Sequence, residues 1–209
     1  MLHKSLLAAG VALLMSAAAA QAGPIKTAPP TLNALGNVTA VYIFADALDT
    51  SRLNEVSPVS FPLIFCNHPT GTCAGNVAGD TKSLFPPSQS GAMVFSLNDV
   101  SSGLNFTTNV ADSDGNYHAL ITSVYSDFGL GALPGPAATA LAALGGSITY
   151  VGWEDKTLAQ GSDWDYNDLI FAFANTSVAV PEPLTLSLFG MGLAGAALVG
   201  RRRNKKTTT

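Results

Sequence analysis

Apolar and polar positions alternate in short runs along most of this chain. Residues 38–44, Val-Thr-Ala-Val-Tyr-Ile-Phe, are rich in β-branched and aromatic side chains and predict a strand. The same pattern recurs at 61–66, 92–97, 104–110, 118–125, 147–153 and 169–174. Gly, Pro, Asn, Asp and Ser fill the joints, as tight turns require. Seven to nine short strands with turn-rich connections predict an all-β fold, an antiparallel β-sandwich. Residues 137–144, small and apolar between Pro136 and Gly145-Gly146, predict one short helix. Residues 23–35, rich in Pro and Thr, read as an extended leader.

Two segments break the alternation. Lys4, an apolar run from Leu6 to Ala20 and the Ala20-Gln-Ala22 sequence describe a secretory signal helix over 1–22, read by the Sec machinery and removed before Gly23. Residues 184–200 are apolar or small throughout, just long enough to cross a bilayer as a helix. The basic cluster Arg201, Arg202, Arg203, Lys205 and Lys206 follows, and it should stay cytoplasmic. The chain then divides into the signal (1–22), an extracytoplasmic β-sandwich domain (23–178), a sorting segment (179–203) and a basic cytoplasmic tail (204–209).

Charge changes the picture once these ends are set aside. The whole chain carries a formal net charge of −4. Residues 23–178 hold 13 Asp and Glu against 4 Lys and Arg, a net of −9. So acidic a body is unsuited to nucleic acid, whose phosphates need cations. It suits cations or neutral sugars. Cys66 and Cys73, seven apart in an exported chain, predict a local disulfide. A zinc site using Cys66, His68 and Cys73 is the weaker rival, since no fourth ligand is evident.

The candidate chemistry lies in two acidic loops. Asp163-x-Asp165-x-Asn167 and Asp112-x-Asp114-x-Asn116 both have the spacing of the first ligands of an EF-hand. Neither continues as one. The sixth and twelfth positions hold Asp168 and Ala174 in the first loop, Tyr117 and Ser123 in the second, instead of Gly and Glu. Glu154 and Asp155 add two more carboxylates. Asp112, Asp114, Glu154, Asp155, Asp163, Asp165 and Asp168 are therefore the candidate metal ligands, with calcium the expected ion. The alternative is that Asp and Asn form turns and cap strand ends. His118 with Asp112, Asp114 and Ser123 could be imagined as a catalytic triad, but no nucleophile or zinc-protease motif supports an enzyme. Trp153, Trp164 and Tyr166 could stack on sugar rings.

Two resemblances add to this reading. Trp153-Glu-Asp155 followed by Gly161-Ser-Asp-Trp-Asp-Tyr-Asn-Asp168-Leu-Ile-Phe171 resembles the signature of domain of unknown function 4114, and Asp114-Gly-Asn-Tyr-His118 resembles an upstream segment of that family; together they span about residues 90–174. That resemblance implies an extracellular, β-rich, calcium-binding domain without established catalysis. Ser113 and Asn116-Tyr117 depart from its pattern. Val180-Pro181-Glu182-Pro183, the apolar helix and Arg201-Arg202-Arg203 are similar to the PEP-CTERM sorting signal. That resemblance implies an exosortase in the inner membrane of a Gram-negative bacterium, removal of the helix, and transfer to the cell surface or exopolysaccharide matrix. The expected function is a non-enzymatic surface or matrix protein with a calcium-stabilised loop cluster. A carbohydrate-binding module is the alternative, and a secreted hydrolase a more distant one.

Overall fold

The computed structural model describes residues 23–84 and 90–179. Nine strands carry the fold: β1 (Leu32–Ala45), β2 (Ser51–Ser57), β3 (Phe61–Cys66), β4 (Thr81–Ser83), β5 (Gly91–Asp99), β6 (Asn105–Thr107), β7 (Ala119–Thr122), β8 (Ile148–Trp153) and β9 (Leu169–Val178). Among the described residues one α-helix, α1 (Gly135–Leu144), joins these nine strands. All the pairings are antiparallel, in the order β3-β2-β5-β1-β9-β8-β7, with β4 added to β1 and β6 to β5.

The long strand β1 turns this path into two layers. Its first residues, Leu32 to Ala34, pair with β5, and residues Thr39 to Val41 pair with β4 instead. Gly36, at φ 143, lies between the two ladders. The sheet thereby folds over on itself. Phe65 of β3 stacks on Phe171 of β9 at 5.8 Å between ring centroids, although three strands separate them in the sheet order. Phe95 of β5 stacks on Phe173 of β9 at 4.2 Å. The result is a sandwich-like antiparallel sheet, and the described residues contain the upper end of the expected strand number.

Strand β9 shows why the pattern there is an unbroken apolar run rather than an alternation. Leu169, Phe171 and Phe173 enter the core between the layers. Ile170 and Ala172 join a second cluster on the outer face, with Val41, Ile43 and Tyr150. Both faces of the strand are covered over residues 169–174, so every position there is apolar. The outer cover is α1, whose Ala137 and Leu141, one helical turn apart, face the sheet. Phe128, Trp164 and Tyr166 complete that cluster. Gly152 in β8 allows this approach: an added Cβ would stand 2.3 Å from the Tyr166 carbonyl oxygen.

Several expectations are corrected. The leader is structured: β1 begins at Leu32, and Ile25 forms a bridge with Tyr117. Strands β2 and β4 were not expected. The run at 104–110 is a strand only over Asn105–Thr107, and the run at 118–125 gives way after Thr122 to a 3-10 turn, Tyr125–Phe128. Among the described residues no helix is long and apolar enough to cross a membrane. The expected signal helix (1–22), the span at 184–200, and Pro181, Glu182, Pro183, Arg201, Arg202 and Arg203 lie outside the described residues.

Candidate metal centre

Strand register brings the acidic segments to one end of the sheet. Trp153, the last residue of β8, pairs with Leu169, the first of β9, and Leu169 also pairs with Ala45, the last of β1. Glu154 and Asp155 therefore leave the ladder where Asp168 enters it. The Asp168 carbonyl accepts N–H groups from Asp46 (2.9 Å) and Ala47 (3.2 Å), tying the three chain crossings together. Ala119 of β7 pairs with Trp153, and the Glu154 N–H donates to the His118 carbonyl at 3.0 Å. The 112–118 loop thus reaches the same end.

The loop before β9 is shaped by two aromatic anchors. Trp164 and Tyr166 have left-handed backbones, φ 59 and 57, which for bulky residues cost about 1–2 kcal/mol each. Burial of both rings offsets that: Trp164 is 5% exposed and Tyr166 0%. The Tyr166 hydroxyl donates to the Tyr117 carbonyl at 3.2 Å and accepts the Ile25 N–H at 2.9 Å. Burial pushes this phenol up to about 12, with the charges of Glu154 and Asp114 adding. Trp153 is likewise fully buried. The expected sugar platform is not formed, because all three rings are used in packing.

The carboxylates fall into three sets, in each of which one ligand atom per residue lies within 4.8 Å of the others: Asp112–Asp114–His118, Glu154–Asp163–Asp165 and Glu154–Asp155–Asp168. The seven predicted residues are thus divided. Asp112 and Asp114 group with His118, not with the other five.

In the first set Asp114 is satisfied by its own chain, while Asn116 Oδ1 beside it is buried without a partner. Asp114 accepts the Asn116 N–H at 2.9 Å and the Leu158 N–H at 3.4 Å, and lies 3.3 Å from His118 Nε2. Burial raises the Asp114 carboxyl, but these bonds and the histidine outweigh it and hold the group below its ordinary value. His118 is buried, stacked on Phe106 at 4.0 Å, and its Nδ1 faces the Glu154 carbonyl oxygen at 3.3 Å. Both ring nitrogens face these acceptors and Ser123 is exposed, so the triad is not assembled.

The other two sets share Glu154 and behave differently. Glu154 is 1% exposed and Asp155 0%, yet Glu154 Oε2 and both Asp155 carboxylate oxygens have no hydrogen-bond partner. The Asp155 N–H, by contrast, donates to Asp168 Oδ2 at 2.9 Å. Burial pushes the Glu154 carboxyl up to about 9, with Asp168 and Asp163 adding and the Ser162 hydroxyl opposing. Burial and the Asp168 charge push Asp155 up to about 7, against the pull of Lys156. Asp165 is also raised, by burial and then by Asp163 and Asp168, although it accepts the Asn167 N–H at 3.1 Å. Unpaired buried carboxylates are costly as ions and demand a proton or a cation. Sequence reasoning missed Ser162, whose hydroxyl acts on Glu154, and Asp49, whose charge acts on Asp155. Ser162 adjoins Asp163 and could have been noticed; Asp49 could not.

Cys66 and Cys73 are joined as a disulfide, with Cα atoms 6.3 Å apart, and offer no thiolate to zinc. His68 Nε2 instead faces the Ala47 carbonyl oxygen at 2.9 Å.

No curated protein and no solved structure matches this chain. The resemblance of residues 90–174 to domain of unknown function 4114 finds no support in these comparisons. Residues 179–203 match the PEP-CTERM protein-sorting motif, which implies processing by an exosortase and export through membrane-anchored sorting.

Proposed function

We propose that this is an exported, exosortase-processed protein of the cell surface or exopolysaccharide matrix. Its β-rich body is held at one end by calcium bound to the Glu154, Asp155, Asp163, Asp165 and Asp168 carboxylates, and it has no catalytic role. The observation that carries the calcium part is the burial of Glu154 Oε2 and both Asp155 carboxylate oxygens without a hydrogen-bond partner among the described residues. The donors are all oxygen, which suits a hard cation with adaptable geometry. The sorting motif supports the destination, outside the cell, where calcium is plentiful.

Calcium that binds the folded state alone raises its stability by mass action, by about 2.7 kcal/mol at a hundredfold excess over Kd. The full chain, purified in detergent, should therefore melt several degrees higher in millimolar calcium than in chelator. Asp168→Asn should shrink that difference. An equal melting temperature in both would remove calcium from the reading. Deleting residues 181–209 should release the protein into a soluble pool, whereas an intact chain that stays uncut in the inner membrane would make the segment a plain anchor.

A further inference from the structure

We propose that the acidic cluster is a two-ion centre, in which two divalent cations of the calcium type are bridged by the Glu154 carboxylate. This rests on the calcium reading above and adds the number and placement of the ions.

Three observations lead there. Two ligand atoms on one calcium, each about 2.4 Å from it, can stand no more than about 4.8 Å apart. The five carboxylates meet that limit as two overlapping sets, Glu154–Asp155–Asp168 and Glu154–Asp163–Asp165, and Glu154 is the shared member. Second, unpartnered buried atoms belong to both sets. Asp155 Oδ1 and Oδ2 serve the first, and Glu154, the residue common to both, carries the unpartnered Oε2. Third, charge decides between one ion and two. Five carboxylates carry a formal −5, so one divalent ion leaves −3 in a largely buried place. Two leave −1, facing Lys156, whose charge acts on Asp155.

The two positions differ in access. The inner one, at Asp155 and Asp168, is built on buried Glu154 and Asp155. The outer one includes exposed Asp163, so water completes its shell and its ion exchanges with solvent. The inner ion should bind more tightly than the outer.

Calcium bound per chain is counted by elemental mass spectrometry after equilibrium dialysis of the full chain in detergent, over a range of free calcium. Two ions per chain in two affinity classes are expected. Asp163→Asn, at an exposed position where folding is not at stake, should lose the weaker class and keep one ion. Asp168→Asn should lose the tighter class. A single ion in the unmutated chain would overturn the two-ion centre and leave the calcium reading standing. No ion would bring down both. Two ions retained in Asp163→Asn would overturn the outer position.

Discussion

The loops at 112–116 and 163–167 share the same Asp-x-Asp-x-Asn spacing and lie at the same end of the sheet, yet they are chemically opposite. In both, the Asn closes on the Asp two residues before it. Asn116, Leu158 and His118 all address Asp114, whose carboxyl is held below its ordinary range. The second sits against Glu154, Asp155 and Asp168, and the carboxyls there are driven up. Spacing alone therefore does not make a cation site. What stands opposite the loop decides: a histidine and backbone N–H groups in one case, further carboxylates in the other.

The largest effect should come from the ring that joins the two loops. Trp164 packs 5.1 Å from His118 and 6.2 Å from Tyr166, centroid to centroid. Trp164→Ala should cost about 3–5 kcal/mol in a denaturant melt, and calcium should no longer restore full stability. A smaller loss, about 1–3 kcal/mol, is expected for Tyr166→Phe, which leaves the Ile25 N–H and the Tyr117 carbonyl without their hydroxyl. Hydrogen exchange at the Ile25 amide should accelerate in that variant; unchanged exchange would detach the loop from the N-terminal segment.

The loops should also carry opposite pH signatures. Glu154 and Asp155 have folded-state values raised above their unfolded ones, so the native state binds more protons between them. In chelator their contribution is fully present below about pH 4 and is lost as pH rises through about 7 for Asp155 and about 9 for Glu154. Asp114 is depressed, so its contribution is present above its ordinary value and is lost as pH falls below it. Melting the chelated protein across pH should show the first trend, flattened in Glu154→Gln; stability rising from pH 5 to 9 would contradict it. The smallest effect belongs to Asp112→Asn. The Asp112 carboxylate accepts one local bond, from the neighbouring Ser113 hydroxyl, and the change should stay within about 0.5 kcal/mol at any calcium concentration.

The legibility of the chain follows the same division. Strand β3 matches its expected span, and α1 comes within two residues because Pro136 and Gly145 punctuate its ends. Strand β2 was hidden by Arg52 and Glu55, charged side chains in a strand whose Ser51, Leu53 and Glu55 turn inward. The start of β1 was hidden by the Pro-rich run before it and by Gly36. In the site, the density of acids was plain from the residues. Which acids lack partners was not, since that depends on His118 meeting Asp114 and on β8 delivering Glu154 beside Asp168. The burial of Trp164 and Tyr166 was equally hidden, because left-handed backbone at both turns the rings inward.

The most direct measurement is an anomalous-difference map from crystals of the protein grown with calcium and then exchanged into terbium. Peaks about 2.3–2.6 Å from carboxylate oxygens of Glu154, Asp155 and Asp168 are expected, with none between Asp112 and Asp114. No peak at Glu154, or a peak at the Asp112–Asp114 loop instead, would contradict the account.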